Sequence, residues 1–368
     1  MQIPLSRPDI TDKEIILVNQ VLRTPYLSLG PMLERFEGMV AEYIGRRYAV
    51  GVSSGTSGLH LCVKAVGVGP GDEVITTPFS FVASANCILY EGARPVFADI
   101  DPLTLNIAPE AIAECISPRT RAILPVHVFG QPCHMERIGT LAEAYHLAVI
   151  EDACEAIGAE LQKRKVGTFG QAAVFAFYPN KQMTLGEGGV IVTDNEEWYR
   201  LFRSLRNQGR DEDGPWLLHR RLGYNYRLDE LSCALGVAQL ERIEELLAKR
   251  ERVARMYNER LGRIKGVELP FVSPETTRMS WFVYVIRLAP ELDRNLVMAR
   301  LEERGVASRP YFSPIHLQPF YVERFGYREG DFPITESVAR STLALPFYGD
   351  LSEEAVDYVC QALQEVIN

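Results

Sequence analysis

Three short stretches of this chain carry residue types that reactive chemistry needs and ordinary packing does not. "FYPNKQMTLGEGG" (177–189) sets Lys181 after an apolar run and before Gly186, Gly188 and Gly189. A lysine at the bottom of a cleft can form a Schiff base with an aldehyde, since desolvation favours the nucleophilic neutral amine. The competing explanation is a surface lysine with a buried stem. "VIEDACEAIGA" (149–159) places Asp152 at the end of an apolar run, 29 residues before Lys181. A carboxylate there needs a positive or hydrogen-bonding partner. A protonated pyridine nitrogen would serve, and so would a helix N-terminus or an ion pair. "SSGTSGLHL" (53–61) runs from small residues into a helical pattern at Gly55, Thr56 and Ser57. Free N–H groups at a helix start attract phosphate, and glycine lets the anion approach the backbone. The alternative is a plain small-residue cap, and neither the dinucleotide fingerprint nor a Walker loop is present.

A phosphate cradle, an acid and a lysine, in that order, complement the three groups of pyridoxal 5'-phosphate: phosphate, pyridine nitrogen and aldehyde. Two further stretches stand out. "GYNYRLDELSCALG" (223–236) is a dense polar-aromatic cluster before a helix, or else its capping turn. "RPYFSPIHLQPF" (309–320) offers Arg309, Tyr311 and His316 to the substrate side, unless it is a proline-rich surface loop. His127, Cys133 and His134 match no standard metal spacing, so no metal is expected. His127 lines the cofactor cleft or packs structurally.

These residues must be positioned by an alternating framework. "YAVGVSS", "GDEVITTP", "RPVFADI", "TRAILPVHVF", "LAVIEDA" and "AAVFAFY" are short apolar runs bounded mostly by Gly, Pro, Asn or Asp. Helical patterns such as "GTSGLHLCVKAVGV" and "MERIGTLAEAYH" lie between several of them. That alternation predicts an α/β fold with a mostly parallel sheet flanked by helices. From Leu228 to Ile264 the spacing predicts one long helix, bent near Gly236 and leading into a second unit. "MSWFVYVIRL" then reads as a strand, and "DRNLVMARLEERG" and "SEEAVDYVCQALQEVI" as helices, giving a smaller C-terminal α+β domain. The expected domains are 1–245 and 246–368.

Bulk properties set limits on partners. With 368 residues and a net charge of −9, the chain has no basic cluster for nucleic acid or an anionic membrane. No stretch approaches the roughly 20 apolar residues of a membrane span, and the first residues lack a secretory pattern. Seven scattered cysteines without a C-x-x-C pair read as free thiols in a reducing cytoplasm.

Taken in order, "YLSLGPMLERFE", "GVSSGTSGLHL", "PFSFVASANCI", "ILPVHVFGQPCHM", "VIEDACEAIGA", "FYPNKQMTLGEGG", "GYNYRLDELSCALG", "RPYFSPIHLQPFY" and "LALPFYGDLSEEAV" cover nearly the whole chain. They resemble the nucleotide-sugar aminotransferases of the DegT/DnrJ/StrS type, within the type I aspartate-aminotransferase fold. The resemblance implies pyridoxal 5'-phosphate as cofactor, with Lys181 holding it covalently and later shuttling the proton. It assigns Asp152 to the pyridinium nitrogen, Phe81 to stacking on the ring, and Thr56 and Ser57 to the phosphate. Glu155 falls near the ring, where many members have Gln. Asn225 matches an asparagine that reaches the phosphate of the neighbouring subunit, which implies a homodimer. One position departs from the pattern: Ala176 stands where many relatives have a phosphate-binding serine. The implied reaction moves an amino group from L-glutamate to a 3- or 4-keto sugar of a nucleotide-sugar, for polysaccharide or natural-product synthesis. Alternatives are transamination of a keto-cyclitol, a sugar dehydratase (a branch with histidine in place of the lysine) and a non-catalytic regulator.

Overall fold

The structure is a computed structural model that describes residues 1–211, 213–215 and 217–368. Seven strands form the main sheet. Their order from edge to edge is Tyr48–Val52, Gly189–Thr193, Ala172–Ala176, Ala148–Asp152, Thr120–Leu124, Glu73–Thr76 and Arg94–Phe97. The strand Gly189–Thr193 runs antiparallel to both neighbours, and the remaining pairs are parallel. The expected α/β class with a mostly parallel sheet is what the chain adopts.

Alternation along each strand builds two cores. Val50, Val52, Ile150, Val174 and Ile191 face one layer of helices. Ala49, Ala173, Phe175, Val190 and Val192 face the other. Successive strand side chains point to opposite faces, so each five-residue strand contributes to both layers. Each large aliphatic side chain so buried contributes about 1.5–3 kcal/mol.

The second sheet is antiparallel, in the order Val267–Glu268, Tyr284–Leu288, Thr342–Leu345. Its core joins Tyr284, Ile286 and Leu343 to Val253 and Tyr257 of the helix Ile243–Leu261 and to Val359 and Leu363 of the helix Glu353–Ile367. The expected C-terminal α+β layer is therefore present.

The stretch 228–264 departs from expectation. Two helices occupy it, Glu230–Glu241 and Ile243–Leu261, and the break falls at Arg242 (φ −121°, ψ 21°), not near Gly236. Gly236 sits inside the first helix, where a Cβ would come within 2.8 Å of the Phe36 ring. Its glycine serves close packing of two helices, which spacing alone does not distinguish from a bend. At the break, Arg242 forms an ion pair with Asp9, and this ties the N-terminal segment to the junction.

Several contacts join the two sheets at the ends of the main-sheet strands. Phe282 N donates to Phe129 O (3.2 Å), Ile315 N donates to Pro78 O (2.8 Å), and Gln182 Nε2 donates to Ser280 Oγ (2.8 Å). Among the described residues, no helix is long and apolar enough to cross a membrane.

Candidate active site

The parallel strands end on one side of the sheet, and a cavity of about 480 Å³ opens there. In an open α/β sheet this is where ligands bind. One wall is the start of the helix Gly55–Val66. Its N-cap Ser54 accepts from Ser57 N at 3.1 Å, and Ser57 Oγ accepts in return from Ser54 N at 2.9 Å. That reciprocal cap uses up the polar groups of Ser57. Gly55 and Thr56, in the first turn, line the cavity with their amides outside the intrahelical ladder. A Cβ on Gly55 would meet Ala176 Cβ and Cys154 Sγ, each at 2.8 Å. The glycine is therefore required by close approach.

The floor is the end of the strand Ala148–Asp152, where two adjacent carboxylates diverge. Glu151 points behind the sheet, accepts from the amides of Gly167 (2.8 Å), Phe169 (2.7 Å) and Gly170 (2.7 Å), and holds His127 at 3.2 Å. Asp152 points into the cavity. Its Oδ2 accepts from Ser84 Oγ at 2.7 Å, and Ser84 is in turn 3.0 Å from Ser80. Its Oδ1 accepts from Cys154 N at 3.2 Å. Asp152 is a buried carboxyl group held in orientation but without a cation at hydrogen-bond distance among the described residues. Burial and the Asp152 charge push the neighbouring Cys154 thiol up, so it is an inert wall and not a nucleophile.

Lys181 enters from the segment after the strand Ala172–Ala176. Its Nζ lies 3.7 Å from Glu155 Oε1 and 3.8 Å from the centroid of the Phe282 ring. Glu155 Oε2 accepts from Phe129 N at 2.9 Å. Burial raises the Glu155 carboxyl above its ordinary range, and Lys181 opposes part of that shift. Tyr311 and Phe312 close this end. Asn180, on the same wall, has a buried side-chain oxygen without a hydrogen-bond partner among the described residues.

The donor set fits a pyridoxal phosphate. Free amides at a helix start suit a phosphate, a buried carboxylate on the floor suits a protonated ring nitrogen, and an amine at the far end suits an aldehyde.

The sequence matches the DegT/DnrJ/EryC1/StrS aminotransferase family over residues 8–364. The chain belongs to that family. It is 38% identical over 370 residues to a GDP-perosamine synthase of Caulobacter vibrioides, covering 100% of this chain and 98% of the relative. It superposes on Helicobacter pylori PseC, an aminotransferase involved in pseudoaminic acid biosynthesis, with a TM-score of 0.95 and 28% identity. That match covers 100% of this chain and 99% of PseC. The PLP form of Spr1654 from Streptococcus pneumoniae gives a TM-score of 0.94 at 26% identity, covering 100% of this chain and 98% of that one.

In this aminotransferase the cavity gathers Gly55, Thr56, Phe81, Asp152, Glu155, Lys181 and Tyr311. Four other expected residues stand off its wall. Ser57 is turned into its cap, as described. Asn225 is exposed, pairs through its backbone with Asn207 and does not line the cavity of its own chain. Arg309 is exposed and donates to Ser308 O at 2.7 Å. His316 is fully buried, bonded to Glu336 at 3.0 Å with its ring against Phe332. His127, for which a place on the cleft wall was one expectation, is a fully buried structural residue that accepts from Cys133 N at 3.0 Å. All seven cysteines are free thiols.

Sequence reasoning missed Ser84 and Phe282. Ser84 lies in "FSFVAS", in the first turn of the helix Ala83–Leu89, a stretch whose pattern reads as helical in the sequence. Phe282 has no local signal, because only the packing of the second sheet brings it under Lys181.

Proposed function

We propose that this aminotransferase moves an amino group from L-glutamate to a 3- or 4-keto sugar carried on a nucleoside diphosphate, for polysaccharide or natural-product synthesis. The single observation that carries this reading is the joint placement of Lys181 Nζ, the Asp152 carboxylate and the helix start at Gly55 in one cavity. The relatives named above include a GDP-perosamine synthase and an aminotransferase of pseudoaminic acid biosynthesis, and these names support a sugar as acceptor.

Pyridoxal 5'-phosphate, when bound, supplies an electron sink that stabilises negative charge on the carbon bearing the amino group. Gly55 and Thr56 would hold its phosphate, with Ala176 offering no hydroxyl at that end. Asp152, oriented by Ser84, would keep the ring nitrogen protonated, and Phe81 at the cavity rim would cover the ring face. Lys181 would hold the cofactor, then be displaced by the amino donor and move the proton between the donor carbon and the cofactor. Glu155 is placed to take up or return a proton at Lys181 Nζ. Tyr311 and Phe312 would exclude water from that end.

The protein would act as a homodimer, with Asn225 of one subunit reaching the phosphate of the other. Asn225 is exposed and does not line its own chain's cavity, which agrees with a role in the neighbour's site.

The test uses purified protein, pyridoxal phosphate, ¹⁵N-labelled L-glutamate and a panel of dTDP-, UDP- and GDP-linked 3- and 4-keto sugars. The reading expects ¹⁵N in a nucleotide-linked amino sugar and one 2-oxoglutarate per product. Label that appears only in a cyclitol, or sugar turnover without nitrogen transfer, contradicts it.

A further inference from the structure

The helix Ile243–Leu261 buries Arg250 behind Lys181, on the side away from the cavity. Arg250 is 4% exposed, and its helix face continues through Val253, Ala254 and Tyr257. Burying a guanidinium is costly unless it is paired or fully hydrogen-bonded. Among the described residues it forms no ion pair with a carboxylate. Its hydrogen bonds go to backbone oxygens: Nη1 donates to Trp281 O (3.3 Å) and Phe282 O (3.1 Å), and Nη2 donates to Asn180 O (3.3 Å) and Lys181 O (2.7 Å). Its charge centre lies 5.6 Å from the Phe347 ring centroid. Burial pushes the group down to about 10, which leaves it charged at neutral pH.

The four acceptors lie on two separate segments. One carries Lys181, and the other carries Phe282, whose ring centroid is 3.8 Å from Lys181 Nζ. A planar fork with donors on both branches can grip two segments at once, which a lysine ammonium reproduces only in part and an apolar side chain not at all. We infer that Arg250 is a positioning residue that clamps the backbones of Lys181 and Phe282 together and so fixes the reactive amine over its aromatic support. This rests on the proposed role of Lys181, but the clamp is a property of the chain without its cofactor.

The test is run first on cofactor-free protein. An amine-reactive N-hydroxysuccinimide ester labels the lysines, and peptide mass spectrometry gives the ratio of labelling at Lys181 to that at exposed Lys163. In cooperatively folded Arg250→Met the ratio should rise on the order of fivefold, the scale of one lost cation–π contact. Arg250→Lys should recover part of the change. In loaded enzyme, kcat of Arg250→Met should fall by about 100-fold, the scale of a small misplacement at a reacting centre, with KM for the donor within about threefold. A folded Arg250→Met with wild-type labelling ratio and kcat overturns the inference and leaves Arg250 a purely structural residue. If that variant does not fold, Arg250→Lys decides: a smaller rise at Lys181 supports the clamp, and an unchanged ratio overturns it. Wild-type protein that fails to capture pyridoxal phosphate at Lys181 on reduction contradicts the proposed function, while the labelling ratios still decide the clamp.

Discussion

Lys181 Nζ and Glu155 Oε1 are 3.7 Å apart, in a cavity where Glu155 is buried and its other oxygen is committed to Phe129 N. Burial holds the Glu155 carboxyl above its ordinary 4.5 in spite of the amine beside it. The folded protein therefore binds this proton more tightly than the unfolded chain does. The stability that goes with the proton is complete below pH 4.5 and is lost as pH rises through the raised folded value. Glu155→Gln removes that charge. The variant should melt above the parent at neutral pH, and the two should converge below pH 4.5, as measured by thermal melts across pH.

Ser84 is the orienting group for Asp152. Ser84→Ala deletes a hydrogen bond to a buried carboxylate and should cost about 1.5–3 kcal/mol of stability in denaturant titrations. Turnover should fall by about 10-fold, or roughly 1.4 kcal/mol of barrier, and Ser84→Thr should restore most of it.

At the other end of the cavity, Gly55→Ala would place a methyl group 2.8 Å from both Ala176 Cβ and Cys154 Sγ. Overpacking of this kind should cost about 1–3 kcal/mol. Cofactor retention through dialysis should weaken as well, because the first turn is displaced from the phosphate end.

How far the sequence discloses this site depends on how local each signal is. Asp152 ends a short apolar strand and Lys181 follows one within a glycine-rich segment, so both stand out where the alternating pattern ends. Gly55 and Thr56 could be read as a helix start. Ser57 lies in the same motif, but whether its hydroxyl turns outward or into the cap is decided by Ser54, and spacing is silent on that. Gly236 shows the same limit, because a glycine in a helical pattern fits a bend and a close contact equally well. Phe282, Arg250 and the burial of His316 depend on how the second sheet packs against the first. Those contacts join residues far apart in sequence, and no local pattern encodes them.

The dimer proposal yields a complementation test. If each site takes Lys181 from one subunit and Asn225 from the other, Lys181→Ala and Asn225→Ala proteins are each impaired alone. After unfolding and refolding together, half of the dimers formed at random are mixed, and each mixed dimer has one intact site. Activity should recover to about a quarter of wild type. No recovery above the sum of the separate variants would show that the sites are complete within one subunit.

The central claim is that Lys181 is the residue that holds the cofactor. The most direct measurement is borohydride reduction of protein incubated with pyridoxal 5'-phosphate, followed by peptide mass spectrometry. The account predicts the reduced cofactor mass on Lys181, its loss in Lys181→Ala, and no multiple-turnover transamination by that variant. Cofactor mass on another lysine, or Lys181→Ala turning over at the wild-type rate, would contradict it.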